Sequence, residues 1–288
     1  MKKHMLKVAD KLKKIRSVDK KKTIKVLLLV RLPFTIYLLI SLIMVPGINS
    51  VGAQVIQGAH RGASVDFEEN TMEAFEKALA DSTYKFVEFD IFYTADNKIA
   101  VFHKNNIVRI PKKFVNISEM TYDELNAKFE FEIPKYEDVM KLLAGKIPLD
   151  IEIKSCGDVE RDIALAEFVV QDCNERGILH EVMISAIQSE VVEYIEENYP
   201  EVKTGQIHWV TLKSIIPINS ICDDIYETPA DYVLLHGHNL RNYETLVECK
   251  PEDKTLMFWY FTDELYIVDD GNNCEFWEEC KEVDIPQH

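Results

Sequence analysis

Short apolar runs alternate along the chain with longer stretches in which apolar residues recur every three or four positions. The short runs predict strands at Val55–Ala59, from Phe86, and over Ile147–Ile153, Val182–Ala186, Lys203–Ile207, Tyr232–Leu235 and Thr255–Tyr260. The longer stretches predict helices. One starts with Asn70 as its cap and Glu73 folding back onto it, and its buried face is Met72, Phe75, Ala78 and Leu79. A short helix follows Thr121. Others cover Lys135–Leu143, residues 158–176 before Gly177, and Ser189–Asn198 before Pro200. This alternation predicts a parallel sheet covered by helices. The strands number seven, and an eighth would close a (β/α)8 barrel. The candidate for it is Lys281–Ile285 at the end of the chain.

Residues 86–103 depart from the alternation. Two apolar runs flank the turn signal Asp96-Asn97 with no room for a crossover helix, so they pair antiparallel, as a hairpin extension after strand 2. With the turn centred on Asp96-Asn97, His103 falls opposite Asp90, uncertain by about one residue of register. Glu88 lies two residues before Asp90, on the same face. Acids in such apolar surroundings need a partner, and one divalent cation serves two of them.

The N-terminus reads differently. Residues 1–25 are basic and polar, and residues 26–50 are almost wholly apolar, about long enough to span a bilayer. The basic flank predicts a cytoplasmic N-terminus and a membrane anchor, with residues 54–288 outside the cytoplasm. A signal peptide cleaved near Val51-Gly-Ala53, giving a secreted protein, is the alternative. Residues 1–53 carry a net +10 against −16 for the whole chain, so the remainder carries −26. A domain this acidic is a poor binder of nucleic acid. The six cysteines all follow residue 150 with no close Cys-x-x-Cys pair, so zinc is not indicated. Outside the cytoplasm disulfides are permitted, and Cys274 with Cys280 is the nearest pair in sequence.

Active sites of such barrels sit at the C-terminal ends of the strands. Those ends carry His60-Arg61, Glu88 with Asp90, and Glu152 with Lys154, and the hairpin brings up His103. Three carboxylates suit Mg²⁺ or Ca²⁺. Arg61 and Lys154 suit a phosphate group, and two histidines suit acid–base chemistry near neutral pH. The set describes phosphodiester cleavage. His236-Gly-His238 ends a later strand and is read as a pair of ordinary loop histidines, and Trp259 as barrel core.

The motifs His60-Arg61-Gly62-Ala63, Glu69-Asn70-Thr71, Glu88-Phe-Asp90-Ile, Thr94-Ala-Asp96 leading to Val101-Phe-His103, and Ile151-Glu152-Ile-Lys154 resemble, in order and spacing, the glycerophosphodiester phosphodiesterase family. The resemblance is specific over residues 55–155 and looser over 156–262. It implies a TIM barrel, and a metal-dependent hydrolysis of glycerophosphodiesters to glycerol 3-phosphate and an alcohol, with a glycerol hydroxyl attacking phosphorus. It implies His60 and His103 as acid and base, and Glu88, Asp90 and Glu152 as metal ligands. Arg61 and Lys154 would bind phosphate, with Glu69 and Asn70 shaping the site beside His60. Three positions depart from the family pattern: Lys104 stands where Asp is usual, Glu68 where Pro is usual, and the final strand with its Asp-Gly turn is not evident. These keep two other readings open. One is a catalytically weak barrel that binds phosphodiesters or lipids. The other is a related phosphodiesterase acting on lysophospholipid or a polyglycerol-phosphate polymer.

Overall fold

Eight strands close into a barrel in the computed structural model, which describes Ile48 and residues 54–103, 117–209, 220–262 and 264–269. All belong to the part of the chain that follows Pro46. The apolar run of residues 26–50 (Ile48 excepted), Lys104, Cys274, Cys280 and Lys281–Ile285 lie outside the described residues. Among the described residues no helix is long and apolar enough to cross a membrane.

The strands are β1 (Gln54–His60), β2 (Phe86–Tyr93), β3 (Ile99–Val101), β4 (Leu149–Ile153), β5 (Val182–Ala186), β6 (Lys203–Ile207), β7 (Tyr232–His236), β8 (Thr255–Trp259) and β9 (Glu264–Asp269). The helices are α1 (Met72–Ala80), α2 (Tyr122–Asn126), α3 (Tyr136–Leu143), α4 (Val159–Glu175), α5 (Ser189–Asn198), α6 (Ser220–Glu227) and α7 (Tyr243–Cys249). The sheet runs β1-β9-β8-β7-β6-β5-β4-β2, and β1 pairs with β2 to close the ring. Seven staves are parallel. The eighth, β9, is antiparallel to both β8 and β1.

That stave corrects the sequence-based expectation. The closing strand is Glu264–Asp269, reached from β8 by a short turn, not Lys281–Ile285 reached through a helix. The turn lies at the barrel mouth, where it can touch the site.

Two further differences are local. The hairpin pairs Ile91 with Val101 and Tyr93 with Ile99, one residue away from the expected register. Phe102, not His103, therefore lies across from Asp90 and donates its N–H to the Asp90 carbonyl at 2.9 Å. The cap of α1 is Thr71, whose hydroxyl accepts from the Ala74 N–H at 3.3 Å. Asn70 is in the left-handed region, φ 57°, which Asn tolerates better than most residues.

Buried apolar residues fall into layers. Val87, Phe89, Ile91, Ile151 and Ile153 face the helices. Phe86, Met183, Leu234, Met257 and Trp259 form a cluster within the ring. The Phe86 ring lies so close over Gly58 that any Cβ there would approach it to 2.2 Å. Phe92 and Phe102 pack on α2, which carries a capping box made by Thr121 and Glu124.

Cys222 on α6 is bonded to Cys249 at the end of α7, across a separation of 27 residues. The sequence offered no signal for this pair, because neither cysteine has a near neighbour. Loop closure of this length stabilises by about 3–4 kcal/mol. Replacing both cysteines by serine should lower the melting temperature by about 10 °C. An unchanged melting curve under oxidising conditions would show that the bond does not form.

Candidate active site

The end of β1 turns sharply. His60 closes the strand, Arg61 has φ 61° and Gly62 φ 79°. A Cβ at Gly62 would sit 2.8 Å from the Ala74 backbone, so this turn can pack on α1 only with glycine there. The strained backbone turns the Arg61 N–H onto Glu88 Oε2 at 2.8 Å. Its guanidinium donates to Glu69 Oε2 at 2.8 Å and to His103 Nε2 at 3.2 Å, and lies 3.3 Å from Asp90. Burial opposes its charge, but Asp90, Glu69 and Glu88 together hold it protonated above its ordinary range.

Glu88 and Asp90 alternate along β2, and Asp90 is in register with Glu152 on β4. Their carboxylate oxygens, one from each residue, all lie within 4.8 Å of one another. Lys154 Nζ lies 2.9 Å from Asp90 Oδ1 and donates to Glu152 Oε1. Asn70 clasps Asp90 from the other side. Its amide donates to Asp90 Oδ2 at 2.8 Å and accepts from the Asp90 N–H at 3.2 Å. The left-handed turn at Asn70 thus serves the site.

Asp150, one pleat below Glu152, is fully buried and accepts from the Ser185 hydroxyl at 2.6 Å. Neither residue belongs to the motifs that point to the site from sequence. Asp150 was readable, since Asp150, Glu152 and Lys154 share one face of the strand.

Negative charge dominates this mouth. Four buried carboxylates face Arg61 and Lys154. Burial, with Asp90 and Glu152 nearby, raises Glu88 well above its usual range. Burial pushes Glu152 up to about 8 and Asp150 up to about 7. Asp90 goes the other way: burial would raise it, but Lys154 and Arg61, with the hydrogen bond from the Asn70 amide, hold it well below the carboxylate range. Glu88 Oε1 is buried without a hydrogen-bond partner. The spare acceptor, the surplus charge and the short span of oxygens fit a hard divalent cation held by Glu88, Asp90 and Glu152.

Both histidines are neutral. His60 Nδ1 lies 2.8 Å from the Thr262 carbonyl, which can only accept. The proton therefore sits on Nδ1, leaving the Nε2 lone pair toward Glu88, 3.9 Å away. His103 accepts from Arg61 at Nε2, so its proton is on Nδ1. Burial lowers both, His60 well below its usual value and His103 to about 3. Thr262 acts through a backbone carbonyl, which has no signature in sequence.

His236 and His238 pair with each other, Nδ1 to Nδ1 at 2.8 Å. Burial and His238 lower His236 to about 4. Neither lines the central cavity. Trp259 does, while also belonging to the barrel core as expected. Its ring belongs to the barrel cluster and also walls the cavity, stacked on Trp209 at 5.4 Å.

A profile described as the Glycerophosphoryl diester phosphodiesterase family matches residues 60–214. A glycerophosphodiester phosphodiesterase of Bacillus altitudinis is 30% identical over 138 residues, covering 44% of this chain and 56% of that protein. The chain spans about half the length of the curated relatives it matches. The crystal structure of a glycerophosphodiester phosphodiesterase from Parabacteroides distasonis has TM-score 0.55 at 21% identity, covering 71% of this chain and 82% of that one. An Oleispira antarctica phosphodiesterase, solved with the product sn-glycerol-3-phosphate, has TM-score 0.55 at 17% identity, covering 70% and 82%. These two likenesses show a shared fold.

Raised carboxyls and lowered histidines act at opposite ends of the pH scale. Glu152 binds its proton more tightly when folded, so its contribution falls as pH rises from about 4.5 to about 8. His103 resists protonation when folded, so stability is also lost as pH falls from about 6.5 toward 3. A cation that binds ionised carboxylates reverses the first loss. The rise in melting temperature on adding Mg²⁺ or Ca²⁺ should therefore grow from pH 5 to pH 8, and Glu152→Gln should abolish it. An increment independent of pH would exclude Glu152 from the cation site.

Proposed function

The chain belongs to the glycerophosphoryl diester phosphodiesterase family, and we propose that it hydrolyses glycerophosphodiesters to glycerol 3-phosphate and an alcohol, aided by a divalent cation. One observation carries this reading. Three carboxylates, two neutral imidazoles and two cations from separate stretches of sequence line one cavity or touch a residue that does.

Arg61 and Lys154 are placed to bind the phosphate oxygens and to stabilise charge building on them. A cation held by Glu88, Asp90 and Glu152 would polarise a phosphoryl oxygen. His60 Nε2, unprotonated and facing the cavity, takes the proton of the attacking glycerol hydroxyl. His103 takes up a proton from water when the anionic phosphate enters and offsets Arg61 and Lys154, and passes it to the departing alkoxide; water then opens the cyclic phosphate left by the attack, with the two imidazoles exchanging roles, to give glycerol 3-phosphate. Glu69 and Asn70 hold Arg61 and Asp90 in place. The Lys154 ammonium, between Asp90 and Glu152, also supports a second reading, a barrel that binds the diester without turnover because its own cation fills the acidic cluster.

Release of glycerol 3-phosphate from glycerophosphocholine separates the two. His60→Ala and His103→Ala should each lower kcat by about a hundredfold or more, and EDTA should abolish turnover. Turnover indifferent to EDTA and to both substitutions would overturn the hydrolase reading.

We further propose that residues 26–50 anchor the protein in the membrane with the barrel outside the cytoplasm. The basic flank supports the orientation, and the Cys222–Cys249 bond suits an oxidising compartment. Protease added to intact cells should then digest the barrel; full protection would overturn this placement.

A further inference from the structure

The Thr94-Ala-Asp96 motif sits at the tip of the hairpin and lines no part of the central cavity. Its turn is tightly bound. Asn97, at φ 56°, donates its N–H to the Thr94 carbonyl at 3.0 Å. Asp96 Oδ1 accepts from the Thr94 hydroxyl at 2.7 Å and from the Tyr122 N–H at 2.8 Å. The same hairpin leads down to His103.

Helix α4 starts against this tip. Arg161, in its first turn, donates from Nη2 to the Thr94 carbonyl at 3.0 Å and to Asn97 Oδ1 at 2.9 Å. Its guanidinium also lies over the Tyr93 ring, 5.7 Å from the centroid.

Asp162, the next residue, serves a different segment. It is 1% exposed, and its Oδ1 accepts from the Cys156 N–H at 2.8 Å. The Cys156 carbonyl accepts from the Ser118 hydroxyl at 3.0 Å. Cys156 comes two residues after Lys154, where the chain leaves β4 with the Lys154 N–H on the Ile91 carbonyl at 2.8 Å.

These bonds close into a circuit. Met120, two residues past Ser118, accepts at its carbonyl from the Ala95 N–H at 2.8 Å, which returns to the hairpin tip. The path runs from the hairpin through Arg161, Asp162, Cys156, Ser118 and Met120 and back to the hairpin. Arg161, Asp162 and Ser118 all lie outside the central cavity. The circuit therefore braces the segments that carry His103 and Lys154 without taking space from a substrate. Bracing of this kind bears on rate, because a displacement of about 1 Å at the reacting groups lowers it by about a hundredfold.

We infer that Arg161 and Asp162 are positioning residues, Arg161 acting through the hairpin on His103 and Asp162 through the Cys156 segment on Lys154. The inference rests on the hydrolase reading above and gives two residues outside the cavity separable effects on it. His103 matters where the departing oxygen needs a proton. Lys154 holds the phosphate whatever alcohol departs.

The test measures kcat/KM, which covers the steps up to release of the alcohol, on the full chain. It uses two diesters of glycerol 3-phosphate, one with choline and one with p-nitrophenol, whose anion departs without a proton. Arg161→Ala should lower the value for the choline diester by about tenfold and leave that for the nitrophenyl diester within about twofold. Asp162→Ala should lower both by about tenfold, and Asp162→Asn, which keeps an oxygen for the Cys156 N–H, should restore most of the loss. If Asp162→Ala does not fold, Ser118→Ala loosens the same segment from its other side and should likewise lower both. Equal losses on the two diesters in Arg161→Ala, a loss confined to the choline diester in the Asp162 or Ser118 variants, no restoration in Asp162→Asn, or full activity throughout would overturn the inference and leave the hydrolase reading intact. If the unaltered protein cleaves neither diester, the hydrolase reading falls, and hydrogen exchange decides the bracing alone. Exchange faster by about tenfold at residues 94–103 in Arg161→Ala, and at residues 154–157 in Ser118→Ala, sustains it. Unchanged exchange overturns it.

Discussion

A carboxylate taken out of water needs a positive charge or several hydrogen bonds to offset its lost hydration. This barrel buries four of them, Glu88, Asp90, Asp150 and Glu152, on two neighbouring strands, and among the described residues sets Arg61 and Lys154 against them. The imbalance explains features that otherwise look unrelated. Arg61 accepts a left-handed backbone because only there do its N–H and its guanidinium reach Glu88, Glu69 and Asp90 together. Asn70 gives up the helix cap to clasp Asp90. Glu152 and Asp150 hold their protons to near neutrality. Three of the four, Glu88, Asp90 and Glu152, bring carboxylate oxygens within 4.8 Å of one another, a span that suits a divalent cation.

The same imbalance orders the imidazoles. Arg61 and Lys154 suppress protonation of His103 after burial has already lowered it, and Arg61 acts likewise on His60. Two neutral rings with assigned protons result, each fixed by a neighbour that can play only one role: a carbonyl that accepts, a guanidinium that donates. The antiparallel stave matters here. Because β9 follows β8 through a turn at the mouth, a backbone carbonyl of that turn reaches His60.

Much of this was legible in the sequence. The strands were found within a residue or two because apolar runs bounded by turn signals leave few alternatives. Glu88, Asp90 and Glu152 were found because a period of two fixes their face, whereas Asp150 on that same face was not. What escaped reading depended on contacts distant in sequence. Nothing local to Asn70 distinguishes a cap from a clasp on Asp90, twenty residues on. The one-residue hairpin register depends on where the turn closes, and both registers bring His103 to the same mouth. The closing stave was misplaced because the expected pattern required a helix before it, whereas Glu264–Asp269 follows β8 almost directly. Trp259 was assigned to the core since an inward aromatic ring looks the same in sequence whether or not it borders a cavity.

Two neighbouring cavities at the mouth divide one electrostatic problem by distance. At the centre, carboxylate oxygens of Glu88, Asp90 and Glu152 lie within 4.8 Å of one another, a span suited to a small ion of high charge density. Beside it, a larger cavity of about 590 Å³ draws its carboxylates from two helices, Glu190 and Glu193 on α5 and Asp224 and Glu227 on α6, and among the described residues these form no group of three within one ion's reach. Between them stands Trp209, which lines both.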